Sequence, residues 1–213
     1  MSLSFVVHAQ EEEQQKAFTI ELVSTFSHFE QQIKTEIGGV KGELLAADTE
    51  LGVQLVGTYN VWKFIHAGWY FQYDMGNREN GQFSGFDSSG AAQVLNLQGG
   101  SFSEFWTGPI LRAQYKLAFL EFGYGLVGTR NDDSRADILN TSSSDQGSFS
   151  TDPSIAWMMG IGAQVNLWKS VSLLIKAQYR VRYYNSRDGL ELQDQAVHGT
   201  QNFASLVGFS YKF

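Results

Sequence analysis

Charged side chains set at alternate positions along otherwise apolar segments are the first feature of this sequence with chemical content. Glu21, Asp74 and Glu121 are the acids; Arg112, Lys116, Lys176, Arg180 and Arg182 are the bases. Gathered on one side of their segments, they would form either a polar conduction path or a salt-bridged, hydrogen-bonded plug. Unpaired charge inside a protein is costly, which favours the plug. Four histidines, His8, His28, His66 and His198, raise a second possibility, a His–Ser–acid set in which a base activates a nucleophile. Ser24, Ser27, Ser205 and Glu30 are available for it, but no histidine and serine share the spacing that such a set needs. Asp132, Asp133 and Asp137 offer carboxylate oxygens for Ca²⁺. They lack the glycine and distal glutamate of a helix–loop–helix calcium loop, so a solvated loop is the simpler reading and no metal is assigned.

The elements that position these residues are read from periodicity. In 171–184, Val171, Leu173, Ile175, Ala177, Tyr179, Val181 and Tyr183 share one face. Lys176, Gln178, Arg180 and Arg182 share the other. Period-two alternation means a strand. Fourteen residues at ~3.4 Å each would extend roughly 45 Å, far beyond an ordinary globular strand. A strand of 9–11 residues tilted by about 45° spans a bilayer. The same template fits 17–28, 49–59, 64–75, 102–116, 119–130, 154–167 and 200–213. In each, apolar residues take one face. The charged residues named above, with Gln, Thr, Asn and Gly, take the other.

Connections alternate in length. Those at 60–63, 116–119 and 168–170 are tight. Those at 29–48, 76–101, 131–153 and 185–199 are long and polar. Short turns at one end and long loops at the other describe an eight-stranded antiparallel up-and-down transmembrane β-barrel, both ends of the chain lying on the short-turn side. Asn60-Val61-Trp62-Lys63 returns as Asn166-Leu167-Trp168-Lys169, both at tight turns. Trp62 and Trp168 are expected to anchor at the membrane interface, with the lysines reaching water.

Composition agrees and excludes alternatives. Aromatics are 14% of the chain, with Gly 22 against Pro 2, a balance that suits strands and tight walls. No apolar run is long enough for a transmembrane helix. A net charge of −7 gives no basic surface for nucleic acid. Without cysteine there is no disulfide framework and no thiolate metal site. Nothing in the sequence asks for a cofactor. Residues 1–9, a short apolar run closing on Ala9, resemble the end of a secretory signal peptide. Residues 10–16 form a polar linker, and 17–213 the barrel.

At the C-terminus Phe203, Val207, Phe209, Tyr211 and Phe213 alternate up to a terminal phenylalanine. This resembles the closing signature of bacterial outer-membrane barrel proteins. With eight strands, 17–213 is similar to the small OmpX- and OmpA-type barrels. The resemblance implies an outer-membrane location, contact with lipid and lipopolysaccharide, and insertion by the barrel-assembly machinery, with Phe209, Tyr211 and Phe213 as the assembly signal. It implies no single activity. The expected role is that of a non-enzymatic barrel acting through its outer loops on a surface ligand, or as an accessory subunit of a larger outer-membrane complex. A narrow pore and a lipid-modifying hydrolase are the alternatives.

Overall fold

A computed structural model describes residues 18–37, 40–132, 135–137, 147–151, 156–184, 186–187, 190–191 and 199–213. The expected signal remnant and linker, His8, Asp133 and His198 lie outside them. The described strands are β1 (Phe18–Ile37), β2 (Val40–Trp62), β3 (Ile65–Arg78), β4 (Gly81–Phe86), β5 (Ala92–Gln98), β6 (Ser101–Tyr115), β7 (Ala118–Tyr124), β8 (Val127–Asp132), β9 (Arg135–Asp137), β10 (Gly147–Thr151), β11 (Ala156–Trp168), β12 (Val171–Tyr183), β13 (Ser186–Arg187), β14 (Leu190–Glu191) and β15 (Gly199–Lys212).

The pairings run in a full circle. β1 pairs with β2, β2 with β3 and β3 with β6. β6 pairs with β7 and, further along, with β8. β7 pairs with β11, β11 with β12, β12 with β15, and β15 returns to β1. All are antiparallel, so β7 and β8 together form one of eight staves. The seam closes where the Phe213 amide donates to the Phe18 carbonyl at 2.9 Å and the two rings lie 6.0 Å apart.

Burial follows the alternation. Along β3 from Trp69 to Met75 and along β15 from Thr200 to Ser210, every second residue is buried and its neighbours are exposed. The exposed residues are the apolar ones: Leu55, Phe71, Leu120, Ile161, Ile175 and Val207 are all among them. The apolar stretch of β3 runs from Ile65 to Met75. Those ten steps, ~34 Å along a strand tilted by about 40–45°, give about 25 Å of height, the thickness of a bilayer's hydrophobic band.

Three details depart from the simple template. The stave expected at 119–130 is broken at Gly125–Leu126. There the register against β6 shifts by one residue, between Ile110↔Gly123 and Thr107↔Val127. This is a β-bulge, and it lies opposite Pro109, whose nitrogen has no hydrogen to give a ladder. The bulge reverses which residues face inward, so Gly128 and Arg130 are buried while Val127 and Thr129 are exposed. Second, the segments read as loops carry strands of their own. β1 and β2 stay paired out to Ile37↔Val40. β4 and β5 form a hairpin on the outer half of β2, and β9, β10, β13 and β14 add short pairs. Third, Trp62 and Trp168 each sit one residue past a register shift, at Asn60/Trp62 and Asn166/Trp168. The repeated Asn-x-Trp-Lys segment is therefore one local device used twice, a bulged tight turn. At the first copy Lys63 takes a positive φ of 37°, held by Asn60 Nδ2 donating to the Lys63 carbonyl at 3.0 Å.

Candidate functional site: the charged lumen

Inward glycines make room for the residues that fill the interior. A Cβ on Gly52 would lie 2.1 Å from Asp74 Oδ1, and one on Gly128 would lie 2.4 Å from the Trp106 ring. The side chains they accommodate form two charged groups joined by a belt of amides.

The group nearer the tight turns holds Glu21, Glu121, Arg112 and Lys176. Arg112 makes a fork onto Glu21, through Nη1 to Oε1 and through Nη2 to Oε2 at 2.7 Å, and Nη2 also reaches Glu121 Oε2 at 2.7 Å. Lys176 Nζ donates to Glu21 Oε2 at 2.8 Å and lies 3.5 Å from Glu121 Oε2. The Arg112 guanidinium lies 4.2 Å from the centre of the Phe119 ring, an apolar floor beneath the charges.

The belt is made of Gln54, Gln72 and Gln178. Gln178 Nε2 donates to Glu121 Oε1 at 2.6 Å and to Gln54 Oε1 at 3.3 Å. Gln54 donates to Gln72 at 3.2 Å, and Gln72 to Asp74 Oδ2 at 2.6 Å. An amide presents donors and an acceptor together, so the belt links carboxylates of both groups without adding charge.

The group nearer the mouth holds Asp48, Glu50, Asp74 and Glu104 with Arg78, Arg130, Arg180 and Arg182. Arg182 joins Asp74 at 2.9 Å and also pairs with Glu104. Arg130 joins Glu104 at 2.8 Å and Asp48 at 3.6 Å. Arg78 joins Asp48 at 2.8 Å, and Arg180 joins Asp74 at 3.4 Å. Tyr184 donates to Glu104, and Thr25 to Asp74 Oδ1 at 2.7 Å. Carboxylates and cations are equal in number in both groups, and of these carboxylates all but Glu50 have a cation within 4.0 Å. Pairing, with further hydrogen bonds from neighbouring amides and hydroxyls, is how an interior of low dielectric tolerates ions.

A charge-filled interior inside a wall of exposed Leu, Ile, Val and Phe inverts the pattern of a water-soluble barrel. The apolar wall is also edged by aromatic rings at both ends. Trp62, Trp168, Tyr211 and Phe213 stand near the tight turns, with Tyr73, Trp157, Tyr179 and Phe203 toward the mouth. The outer surface is made to be wetted by lipid, and the rings stand where membrane meets water. The chain folds as a transmembrane β-barrel.

No protein-family profile matches the barrel's sequence, and no curated protein matches it in sequence. Several solved structures are similar in shape. OprG, an outer membrane protein of Pseudomonas aeruginosa, is 15% identical over 93% of this chain and 96% of that one, with a TM-score of 0.42. Ail, the attachment invasion locus protein of Yersinia pestis, is 13% identical over 93% and 99%, also with a TM-score of 0.42. The outer membrane protease OmpT of Escherichia coli is 11% identical over 100% and 99%, with a TM-score of 0.41.

Seven of the eight charged residues singled out in the sequence meet in this lumen. Lys116 does not. It is exposed at the β6–β7 turn with a positive φ of 54°, its Nζ lying 5.3 Å from the Tyr115 ring centre. Strict alternation along 102–116 placed it inward, but the stave ends at Tyr115. Asp48, Glu50, Arg78, Glu104 and Arg130 were missed. Alternation alone carries Glu50 and Glu104. Arg130 is reached only through the bulge, and Asp48 and Arg78 only because the strands continue past their apolar stretch. The two described histidines, His28 and His66, are not gathered with a serine. His28 Nδ1 is 2.8 Å from Thr49 Oγ1 on the exposed face, His66 is half-buried beside Arg112, and Ser27 donates to the Phe203 carbonyl. The Asp132 and Asp137 carboxylates lie outside the described side chains.

Phe213 closes the seam, so its loss is expected to act on assembly. Phe213→Ala should reduce the fraction of chain that migrates as compact barrel on unheated gels of outer membranes. Undiminished insertion would remove Phe213 from the assembly signal.

Proposed function

We propose that this outer-membrane barrel is a closed, non-enzymatic scaffold whose mouth-side strands meet a partner at the cell surface. The observation that carries the reading is the occupied lumen. An eight-stranded barrel has an interior just wide enough for side chains to fill. Here the inward residues are buried and joined in one network from Glu21 to Asp48, which favours a plug over a pore.

The strands meanwhile continue past the apolar band. On the outward face of the β2–β4–β5 sheet, Leu45, Phe86 and Val94 are exposed apolar residues beyond the row His28, Thr49 and Asn77, where the exterior turns polar. They stand clear of the lipid, on backbone held by a hydrogen-bonded ladder. The β4–β5 turn is itself well built. Asp87 accepts from the Ser89 hydroxyl and amide and from the Ala91 amide at 2.6–2.9 Å, and these bonds, the Ser89 hydroxyl first, hold its carboxyl down to about 2. Exposed apolar side chains on a rigid support are suited to a protein partner.

Replacing 76–101 and 131–153 by short turns is expected to leave membrane insertion intact. The same change should abolish photo-crosslinking to surface partners on whole cells. Crosslinking that survives both replacements would overturn this reading and move the contact to the lipid-facing wall around Trp69, Phe71, Phe122 and Trp157.

A further inference from the structure

Among the described residues, Glu50 Oε1, Asn202 Oδ1 and Thr200 Oγ1 are buried without a hydrogen-bond partner, as are Trp106 Nε1 and Arg112 Nε. The first two belong to side chains already joined, since Asn202 Nδ2 donates to Glu50 Oε2 at 2.8 Å. Glu50 is also set apart from the other acids near the mouth. Asp48, Asp74 and Glu104 each have an arginine within 4.0 Å, whereas no ion pair reaches Glu50 among the described residues. An ionised carboxylate there would leave a bare buried oxygen on each of two side chains that are already joined. Neither atom can donate, and each unmet group costs about 1–3 kcal/mol. One proton cures both faults. A carboxylic acid and a primary amide are complementary, the acid O–H donating to the amide oxygen while the amide N–H donates to the acid carbonyl.

We propose that Glu50 is a proton-binding site: in the folded barrel its carboxyl carries a proton that locks it to Asn202 in a two-bond acid–amide pair. The pair fastens β2 to β15 across β1 at the mouth, and it opens as the medium becomes alkaline.

The position makes the site responsive to the outside. Thr49 and Gln201 are the first polar exterior residues beyond Leu51 and Phe203, so Glu50 and Asn202 lie just past the membrane-spanning segments, 51–61 of β2 and 203–211 of β15. The surroundings act in one direction. Burial, then the Glu104 carboxylate on β6, raise the Glu50 carboxyl to about 7; Asp74 on β3 adds to this, and Arg182 and Arg180 on β12 oppose it. The nearby residues of β1 and β15, Ser27, Thr200 and Asn202, do not titrate. The unfolded chain takes up this proton only near 4.5. The pair's contribution to stability is therefore whole below about 4.5, declines as pH rises to about 7, and is absent above. Past that point Arg180 and Arg182 are the cations nearest the new charge, and both are already shared with Asp74 and Glu104.

The test compares the purified full-length barrel in lipid with Glu50→Gln. Glutamine can form the same two bonds with Asn202 and has no proton to lose. Between pH 4.5 and 7 the thermal midpoint of the parent should fall relative to that of E50Q, and the difference should level off above 7. A second measurement needs no stable variant. Infrared spectra of the parent labelled with ¹³C at glutamate carboxyls should show a protonated-acid carbonyl band within that pH range, lost on going alkaline. Parallel pH dependences of the two proteins would overturn the proposal, as would absence of the band. So would a rise in the parent's midpoint with Na⁺ or Ca²⁺ at constant ionic strength, which would make the site a metal site.

Discussion

Glu21→Ala is expected to destabilise the barrel by about 3–5 kcal/mol, the usual cost of breaking a buried ion pair from one side. Glu21 is fully buried and receives both Arg112 and Lys176. Without it two cations must share Glu121, which also serves Gln178. The loss comes from stranded charge, so removing one cation should return part of it. Glu21→Ala combined with Lys176→Met leaves Arg112 paired with Glu121 and is expected to be more stable than Glu21→Ala alone. Denaturant titration in lipid vesicles, followed by gel mobility, reads both. A Glu21→Ala barrel within about 0.5 kcal/mol of its parent, the range of an ordinary surface substitution, would mean that the lumen charges do not hold the interior together.

The second large effect is expected on the other face of the same wall. Ile175 is exposed at the middle of the apolar stretch of β12, between Ala163 on β11 and Val207 on β15. Ile175→Arg should cost about 2–4 kcal/mol, and Gln201→Arg, past the edge of that stretch, about 0–1. Equal costs at the two positions would argue against a lipid-covered band. One position along from Ala177 the logic changes entirely. Gln178 is buried and bonded to Glu121, Gln54 and Arg180, so an arginine there meets a packed, charge-balanced interior rather than lipid.

The contrast between Ile175 and Gln178 also shows why so much of the fold is legible in the sequence. A stave that faces lipid on one side and a polar plug on the other writes both environments into alternate residues, and β3, β12 and β15 read directly. What alternation cannot report is a change of phase. Pro109 and Gly125 mark the bulge that turns Arg130 inward, yet either residue also occurs in turns, and only the pairing between β6, β7 and β8 shows the shift. Alternation is equally silent on where a strand stops. Past Phe26 and Met75 the exterior becomes polar, so β1 and β3 look like the beginnings of loops although their backbones stay paired with β2. Asp48 and Arg78, the outermost described ion pair of the lumen, are lost to sequence reading for that reason. Lys116 is the converse case, an inward parity carried one residue past the end of its stave. The Glu50–Asn202 contact joins residues 152 positions apart, and no local pattern announces it.

Whether the lumen is filled is tested most directly by electrical recording. Purified barrel inserted into a planar lipid bilayer is expected to give no stable conductance, because the paired side chains from Glu21 to Asp48 leave ions no continuous path. A reproducible ion-selective current, altered in size or selectivity by Arg180→Ala, would contradict it and make the same charges the lining of a pore.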